Sequence, residues 1–386
     1  MVLVERHFNS GTPEIIELCT HSKELYNKCN FYMREAWSKK ERLPDIGILV
    51  NLVQTEESFK KLHNTKTAKQ TIRKNLSDWS NFKKSLIAYR KKPKDFKCEP
   101  KPPKYKEKLA QVIFYSETIK RKPLKSGKII PTNECFSIKS NRKFQQVVIT
   151  PQTFGFVIEV QYESEQPKGE KLNKKKVCSI DLGVNNLCAI TSDQHLPLLI
   201  NGRIVKSLNQ YYNKYPTKNN SRKRYWRIEN YFHHVSKIII QNCIKHDVGT
   251  IIIGRNEGWK QDVKMRSKEK QNFQYIPFFK LIQKIQYKAE LVGIDVVFTE
   301  ESYTSKASFK NRDMLDGSVL TGIRSSRGMY ENADGSLVNA DVNGSLNICR
   351  KVIQDTDILS RLDRSLAARP VKVNPIRELT FQTFKV

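Results

Sequence analysis

Asp181 stands inside an otherwise apolar run, VCSIDLGV, two residues before Gly183. A carboxylate among apolar neighbours is costly to desolvate unless a cation or hydrogen-bond donors meet it. Two readings fit, a metal ligand or a strand-end aspartate that caps a turn. Asp341, in NADVNGSLNI, presents a similar choice where a closing helix should begin. Either it or Asn339 caps that helix, or its carboxylate is offered to an ion. Hard oxygen donors of this kind suit Mg2+, with Mn2+ as a substitute. A second chemistry is signalled by NQYYNKYPTKNNSRKRYWRIENYF, where Tyr211, Tyr212, Tyr215 and Trp226 alternate with Lys214, Arg222, Lys223, Arg224 and Arg227. Such mixtures stack bases and hold phosphates, or else place the rings in a core and the cations in water. Trp259, beside Lys260 in EGWKQ, reads as a packing anchor.

The whole composition agrees with a polyanionic partner. Lys plus Arg number 69 against 39 Asp plus Glu in 386 residues, a net charge of +30. That imbalance argues against an ordinary enzyme of small metabolites. Hydrophobic residues at 38% argue equally against a disordered basic tail. The charge is densest over 58–108, with seventeen Lys or Arg against four Asp or Glu, ending in KKPKDFKCEPKPPKYKEK. Like charges so crowded repel one another unless phosphates neutralise them, which makes Lys69, Arg73, Lys83 and Arg90 candidate backbone contacts. No run reaches the roughly 20 apolar residues of a membrane helix, and Glu5 and Arg6 interrupt the start, so the expected place is the cytoplasm with no membrane partner. The eight cysteines contain no Cys-x-x-Cys pair, which signals neither a disulfide framework nor a zinc ribbon.

The elements that must position these residues follow from periodicity. Residues 2–8 read as a strand, and Thr12-Pro13 as the cap and first position of a long helix with Ile15, Leu18, Leu25, Cys29, Tyr32 and Ala36 on one face. A second helix fits 65–90, with Ile72, Leu76, Trp79 and Leu86 inward. From 109 to 164, QVIFY, GKII, CFSIK, QQVVIT and FGFVIEVQYE are short strands spaced as in a small barrel or sandwich. After a polar linker come strands at VCSIDLGV, LCAITSD and LPLLI, a helix near 223–245, a strand at GTIIIG, a helix near 277–292 and a strand at IDVVF. Asp341 opens a last helix with Val342, Leu346, Cys349 and Ile353 on one face, and the final thirty residues give no clear pattern.

That order of elements is the order of the ribonuclease H-like fold. Four phrases, DLGVNNLCAIT, GTIIIGRNEGWKQ, YKAELVGIDVVFTEESYTSKASF and GIRSSRGMY with NADVNGSLNI, resemble the RuvC-type nuclease of the TnpB (OrfB-type) family. These are RNA-guided DNA endonucleases of insertion sequences, related to Fanzor proteins and type V CRISPR effectors. The resemblance is strong over 177–353. It implies a multidomain α+β protein with a helical recognition domain, 11–91, inserted in a small wedge-like β-barrel, 1–10 and 92–170. A ribonuclease H-like (RuvC) α/β nuclease domain, 177–386, would follow. It also implies a guide RNA and a target double-stranded DNA as partners, and two Mg2+ ions held by carboxylates. Related readings are a nuclease-inactive RNA-guided repressor and a guide-free transposon-associated nuclease.

Two departures from the family pattern matter. Many relatives end the GTIIIG strand with a catalytic glutamate, where this chain has Gly254. The replacement expected is Glu301, or its neighbour Glu300, reaching from an adjacent strand about 4.8 Å away, with Glu257 more remote. The implied catalytic and metal-binding set is therefore Asp181, Glu301 and Asp341, with Glu300 as the alternative carboxylate. The second departure is the absence of cysteine from 302 to 339, with Ala307 where a first zinc ligand would stand, so no zinc is expected. Lys306, Lys310, Arg312, Arg324 and Arg327 in that stretch suit the approach of a DNA strand.

Overall fold

The computed structural model describes residues 2–62, 64–96, 98–163, 172–255, 276–326 and 328–375. The chain divides into two units, Met1–Glu165 and Gln166–Val386.

The first unit opens with strand β1 (Val2–Asn9) and helix α1 (Pro13–Ser38), where the Thr12 side chain accepts from the Ile15 amide as an N-cap should. Helices α2 (Ile46–Val53), α3 (Glu57–Lys60) and α4 (Thr65–Lys91) follow. Then come β2 (Val112–Tyr115), α5 (Arg121–Lys125), β3 (Lys128–Ile129), β4 (Ile138–Lys139), β5 (Phe144–Gln152) and β6 (Gly155–Glu163). The sheet order is β1-β6-β5-β2, antiparallel throughout, with β3 and β4 as a separate pair. Where the sequence suggests a barrel, the described strands form an open sheet with β1 and β2 at its edges. Packing explains why closure is dispensable. Val112, Phe114, Val147, Ile149, Ile158 and Val160 join one apolar core with Ile15, Leu25, Ile72 and Trp79 of the helices, so the buried face is covered without a second layer of strands. Hydrogen bonds lock α1 to α4, including Trp79 Nε1 to Asn30 Oδ1 at 2.8 Å and the Tyr26 hydroxyl to Asp78 at 2.9 Å.

The second unit is a six-stranded mixed sheet with helices on both faces. Its elements are β7 (Asn173–Leu182), β8 (Asn186–Ser192), β9 (Leu198–Asn201), α6 (Arg203–Lys214), α7 (Lys218–Lys245), β10 (Val248–Gly254), α8 (Phe278–Leu291) and β11 (Asp295–Thr299). Three short strands, β12 (Ile323–Ser326), β13 (Met329–Glu331) and β14 (Leu337–Asn339), make a small antiparallel sheet. Then come α9 (Ala340–Val352), α10 (Thr356–Leu362), α11 (Arg364–Ala367) and β15 (Val371–Val373). The main sheet runs β11-β10-β7-β8-β9-β15. Strands β7, β8 and β9 are antiparallel neighbours, β10 and β11 run parallel to β7, and β15 runs parallel to β9.

Side-chain alternation assigns the two faces of this sheet. Cys178, Ile180, Leu182, Ile251 and Ile253 pack into the core shared with α6, α7 and α8. Val177, Ala189, Leu199 and Ile252 pack into the core shared with α9 and α10. By the same period of two, Ser179 and Asp181 face α9. No helix among the described residues is long and apolar enough to cross a membrane.

Candidate active site

Helix α9 lies across the end of β7 and is fastened there by hydroxyls. Ser179 Oγ donates to the Ser345 carbonyl at 2.7 Å, and Ser345 Oγ donates back to the Ser179 carbonyl at 3.0 Å. Two residues beyond Ser179, Asp181 reaches the same helix at Gly344. A Cβ on Gly344 would lie 2.7 Å from Asp181 Oδ2, so only glycine leaves room for that carboxyl group. Burial raises the Asp181 pKa well above the ordinary carboxylate value, and the charges of Glu301 and Asp341 raise it further, while Arg324 opposes the shift.

Gly254 ends β10 on the same face. A Cβ there would meet Glu301 Oε1 at 2.6 Å, Glu301 Cγ at 2.7 Å and Ile348 Cδ1 at 2.6 Å. The side chain of Glu301 therefore occupies the space that a larger residue at 254 would need. Register brings this about: Gly254 pairs with Thr299 on β11, and Glu301 follows two residues later. Burial pushes the Glu301 pKa up to about 7, with Lys351 pulling the other way. Glu300 points differently. It accepts from Ser302 Oγ, lies 3.7 Å from Lys351 Nζ, and has a side chain that is 65% exposed.

Asp341 sits in the first turn of α9. Asn339 is the cap, accepting from the Asp341 and Val342 amides at 3.1 Å, and this leaves the Asp341 carboxylate free of capping duty. One oxygen of Asp341 instead accepts from Asn186 Nδ2 at 2.7 Å, and the other lies 3.7 Å from an Arg324 guanidinium nitrogen. Asn186 is a positioning residue that the sequence reading passes over. Its signal lies in DLGVNNLCAIT, but the identity of its partner depends on where α9 docks.

The remaining asparagines of NADVNGSLNI have a related duty. Asn343 Nδ2 donates to the Ala307 carbonyl at 2.8 Å and its Oδ1 accepts from the Phe309 amide at 3.0 Å. Asn347 Nδ2 donates to the carbonyls of Thr304 and Ala307, at 3.0 and 2.7 Å. Thr304 in turn bonds the Glu301 carbonyl through its hydroxyl at 2.9 Å. The helix that carries Asp341 thus also holds the loop that begins at Glu301. Beyond that loop, Asp313 gathers the Ser308 and Thr321 amides and the Thr321 hydroxyl, at 2.7, 3.0 and 2.6 Å, so side-chain hydrogen bonds tie this segment together.

Asp181, Glu301 and Asp341 are thus brought to one end of the sheet, near enough for their charges to interact. Among the described residues no three acidic, histidine or cysteine side chains already encircle one point. Burial is the main cause of the raised Asp181 pKa, and the charges of Glu301 and Asp341 add to it. Carboxylate oxygens of this kind are hard donors suited to a divalent cation, and the glycines at 344 and 254 leave room for the carboxyl groups of Asp181 and Glu301.

The nucleic-acid candidates fall in several places. Lys69, Arg73, Lys83 and Arg90 share one stripe of α4, Lys69 half-buried and the others exposed. Lys69 and Arg73 line a cavity of about 430 Å³ with Tyr115 and Ser116. The segment expected to precede a single helix near 223 is itself helical, so the aromatic and basic residues divide between α6 and α7. Tyr211 is exposed, Trp226 half-buried and Tyr212 buried, which turns the Tyr212 ring into the packing of the helices instead of toward solvent. Arg222 donates to Asn219 Oδ1 and Arg224 to Asn209 Oδ1. Arg324 is exposed on β12 beside Asp341, whereas Arg327, Glu257, Trp259 and Lys260 lie outside the described residues.

Comparison with known proteins places one segment. Residues 278–348, from α8 through most of α9, match the family model described as Cas12f1-like, TNB domain. Among solved structures, the chain is similar to a Cas12f1–sgRNA–target DNA complex seen by cryo-EM, at 13% identity and a TM-score of 0.33, covering 90% of this chain and 98% of that one. It is also similar to a cryo-EM CRISPR-Cas12f ternary complex at 12% identity and a TM-score of 0.37, covering 89% of this chain and 82% of that one. No curated protein sequence matches the chain. The segment similar to the Cas12f1-like domain contains both Glu301 and Asp341.

Proposed function

We propose that the chain is a transposon-encoded, RNA-guided DNA endonuclease of TnpB type, acting in the cytoplasm, whose second unit hydrolyses DNA phosphodiester bonds with two bound Mg2+ ions. The observation that carries this reading is that the charges of Glu301 and Asp341 both act on the buried Asp181, with Glu301 filling the space beside Gly254. The order β9-β8-β7-β10-β11, with β10 and β11 parallel to β7, supports a ribonuclease H-like domain of RuvC type. The Cas12f1-like match over 278–348 supports the same family, and with it a guide RNA and a DNA target. A net charge of +30 supports partners that are polyanions.

In this mechanism Asp181, Glu301 and Asp341 hold the ions. When bound, such a pair of ions supplies an activated water and stabilises charge on the leaving oxygen. Asn186 holds one Asp341 oxygen by a hydrogen bond, and the other lies beside Arg324. Arg324, exposed beside Asp341, meets the negative charge of the DNA strand. In this reading hydrogen bonds from Asp313, Asn343 and Asn347 tie the segment that follows Glu301, and no zinc is expected there. Base pairing with the guide specifies the target, while the stripe of Lys69, Arg73, Lys83 and Arg90 holds backbone phosphates.

The test uses the protein purified with its co-purifying RNA and matched double-stranded DNA in Mg2+. Asp181→Ala should abolish cleavage and retain the RNA. Undiminished cutting by that variant removes the mechanism, and intact wild-type binding with no cutting favours the repressor reading.

A further inference from the structure

The basic strap EPKPPKYKEK, residues 99–108, is fastened along α1 by a ladder of side chains. Asn27 donates to the Lys106 carbonyl at 2.9 Å and accepts from the Lys106 amide at 2.7 Å. Asn30 and Arg34 both donate to the Pro103 carbonyl, at 3.0 and 3.1 Å. Lys106 Nζ lies 3.7 Å from the centre of the Tyr26 ring. These bonds hold the backbone at Pro103 and Lys106, and the prolines restrict its course up to Pro103. Tyr105, between the two anchored residues, is left outward with 45% of its surface exposed.

Tyr105 lines two openings of different chemistry. One is a cavity of about 480 Å³ whose wall includes Phe31, Arg34, Glu35 and Trp37 from the last turns of α1, with the Glu35 carboxylate paired to Lys39 at 2.7 Å. Phe31 is 49% exposed, and the Arg34 guanidinium lies 5.6 Å from the Tyr105 ring centre. The other is an open cleft of about 530 Å³ lined by Lys74, Lys104, Lys106 and Lys108 against a single acid, Glu107. Single exposed aromatics need no explanation. Two of them facing one cavity with a guanidinium, beside a cleft of lysines, match a ligand that is flat and apolar at one end and anionic at the other. A nucleotide has that character, and a polynucleotide repeats it.

We propose that Phe31 and Tyr105 form a stacking site for an unpaired base of a polynucleotide strand, whose phosphates lie along the lysine cleft. This rests on reading the chain as a polynucleotide-binding protein and adds to it a site in the first unit. Arg34 holds the strap through Pro103 and sets its positive charge beside the Tyr105 ring, within reach of a stacked nucleotide. The lysines supply the salt-sensitive part of the affinity and the rings the part that requires a base.

The experiment measures binding of the full chain to labelled single strands in metal-free buffer, with strands of one sequence as DNA and as RNA, and an abasic strand of equal length. Wild type should hold base-bearing strands of at least one polymer more tightly than the abasic strand. Tyr105→Ala and Phe31→Ala should each weaken base-bearing strands roughly fivefold to a hundredfold and leave abasic binding and the salt slope unchanged. Lys104→Gln with Lys108→Gln should weaken all strands and lower the salt slope by about 0.7 for each phosphate that a lysine no longer neutralises. Unchanged melting temperatures, expected for exposed positions, show that the variants fold. If both aromatic variants bind base-bearing strands as wild type does, the stacking site is wrong while polynucleotide binding stands. If wild type binds no strand, both fall. Cleavage plays no part in either outcome.

Discussion

At the sheet end of the second unit one carbon atom is too much: a Cβ at Gly344 or Gly254 would come within 2.7 or 2.6 Å of the carboxyl groups of Asp181 and Glu301. Along α4 of the first unit, by contrast, Arg73, Lys83 and Arg90 are exposed to solvent. The acidic region depends on position, because its charges are desolvated and close together. The basic region depends on number, because solvated charges act on a polyanion nearly additively. Alteration should make the first region fail abruptly and the second by degrees.

The largest effect should come from Gly344→Ala. The added methyl meets the Asp181 carboxyl, and the account expects cleavage to fall by at least roughly a hundredfold with about 1–3 kcal/mol of stability lost, read from single-turnover rates and denaturant melts. A silent Gly344→Ala would break the contrast. A smaller effect should appear in the dependence of stability on pH. Asp181 and Glu301 both have raised folded-state values, so the stability they contribute is complete below the ordinary carboxylate range and is lost as pH rises, for Glu301 through about 7. Metal-free protein should therefore melt lower at pH 8 than at pH 6 by an amount on the order of a few degrees, and Mn2+ should restore more at pH 8. Equal effects of Mn2+ at both values would count against a cation held by these two groups. The smallest effect should come from Arg73→Gln, a few-fold loss of nucleic-acid affinity with a salt slope lower by about 0.7–0.9 and cleavage unchanged at saturation. Complete loss from that one change would make the basic stripe as position-dependent as the acidic end.

How much of this is legible in the sequence varies with the range of the forces involved. The first helix is readable because its signals are local: Thr12-Pro13 starts it and its buried residues recur at helical spacing. The strands around Asp181 and Gly254 are readable as apolar runs between turns. Strand β15 is not, since three residues between Pro370 and Pro375 carry no period and owe their conformation to pairing with β9. The short strands β12 to β14 escape a sequence reading for a similar reason, with all four residues of β12 exposed. In the candidate site, Asp181 and Asp341 stand out because charge is out of place. Glu301 is reached only through the resemblance to relatives that end this strand with a glutamate, with Glu300 left as the alternative, because Gly254 alone says nothing of what fills its space. The duties of Asn186, Gly344 and Asn347 are invisible, because each is defined by a residue distant in the chain and brought close only by the docking of α9.

Whether Asp181, Glu301 and Asp341 share divalent cations is decided by titrating Mn2+ into the metal-free protein by calorimetry and comparing Glu301→Gln with Glu300→Gln. Glu300 is solvent-facing beside Ser302 and Lys351, whereas Glu301 lies in the space beside Gly254. Glu301→Gln should weaken Mn2+ binding by at least roughly tenfold, and Glu300→Gln should leave it as in wild type. Loss of binding in Glu300→Gln with full binding in Glu301→Gln would contradict a site shared by these three carboxylates.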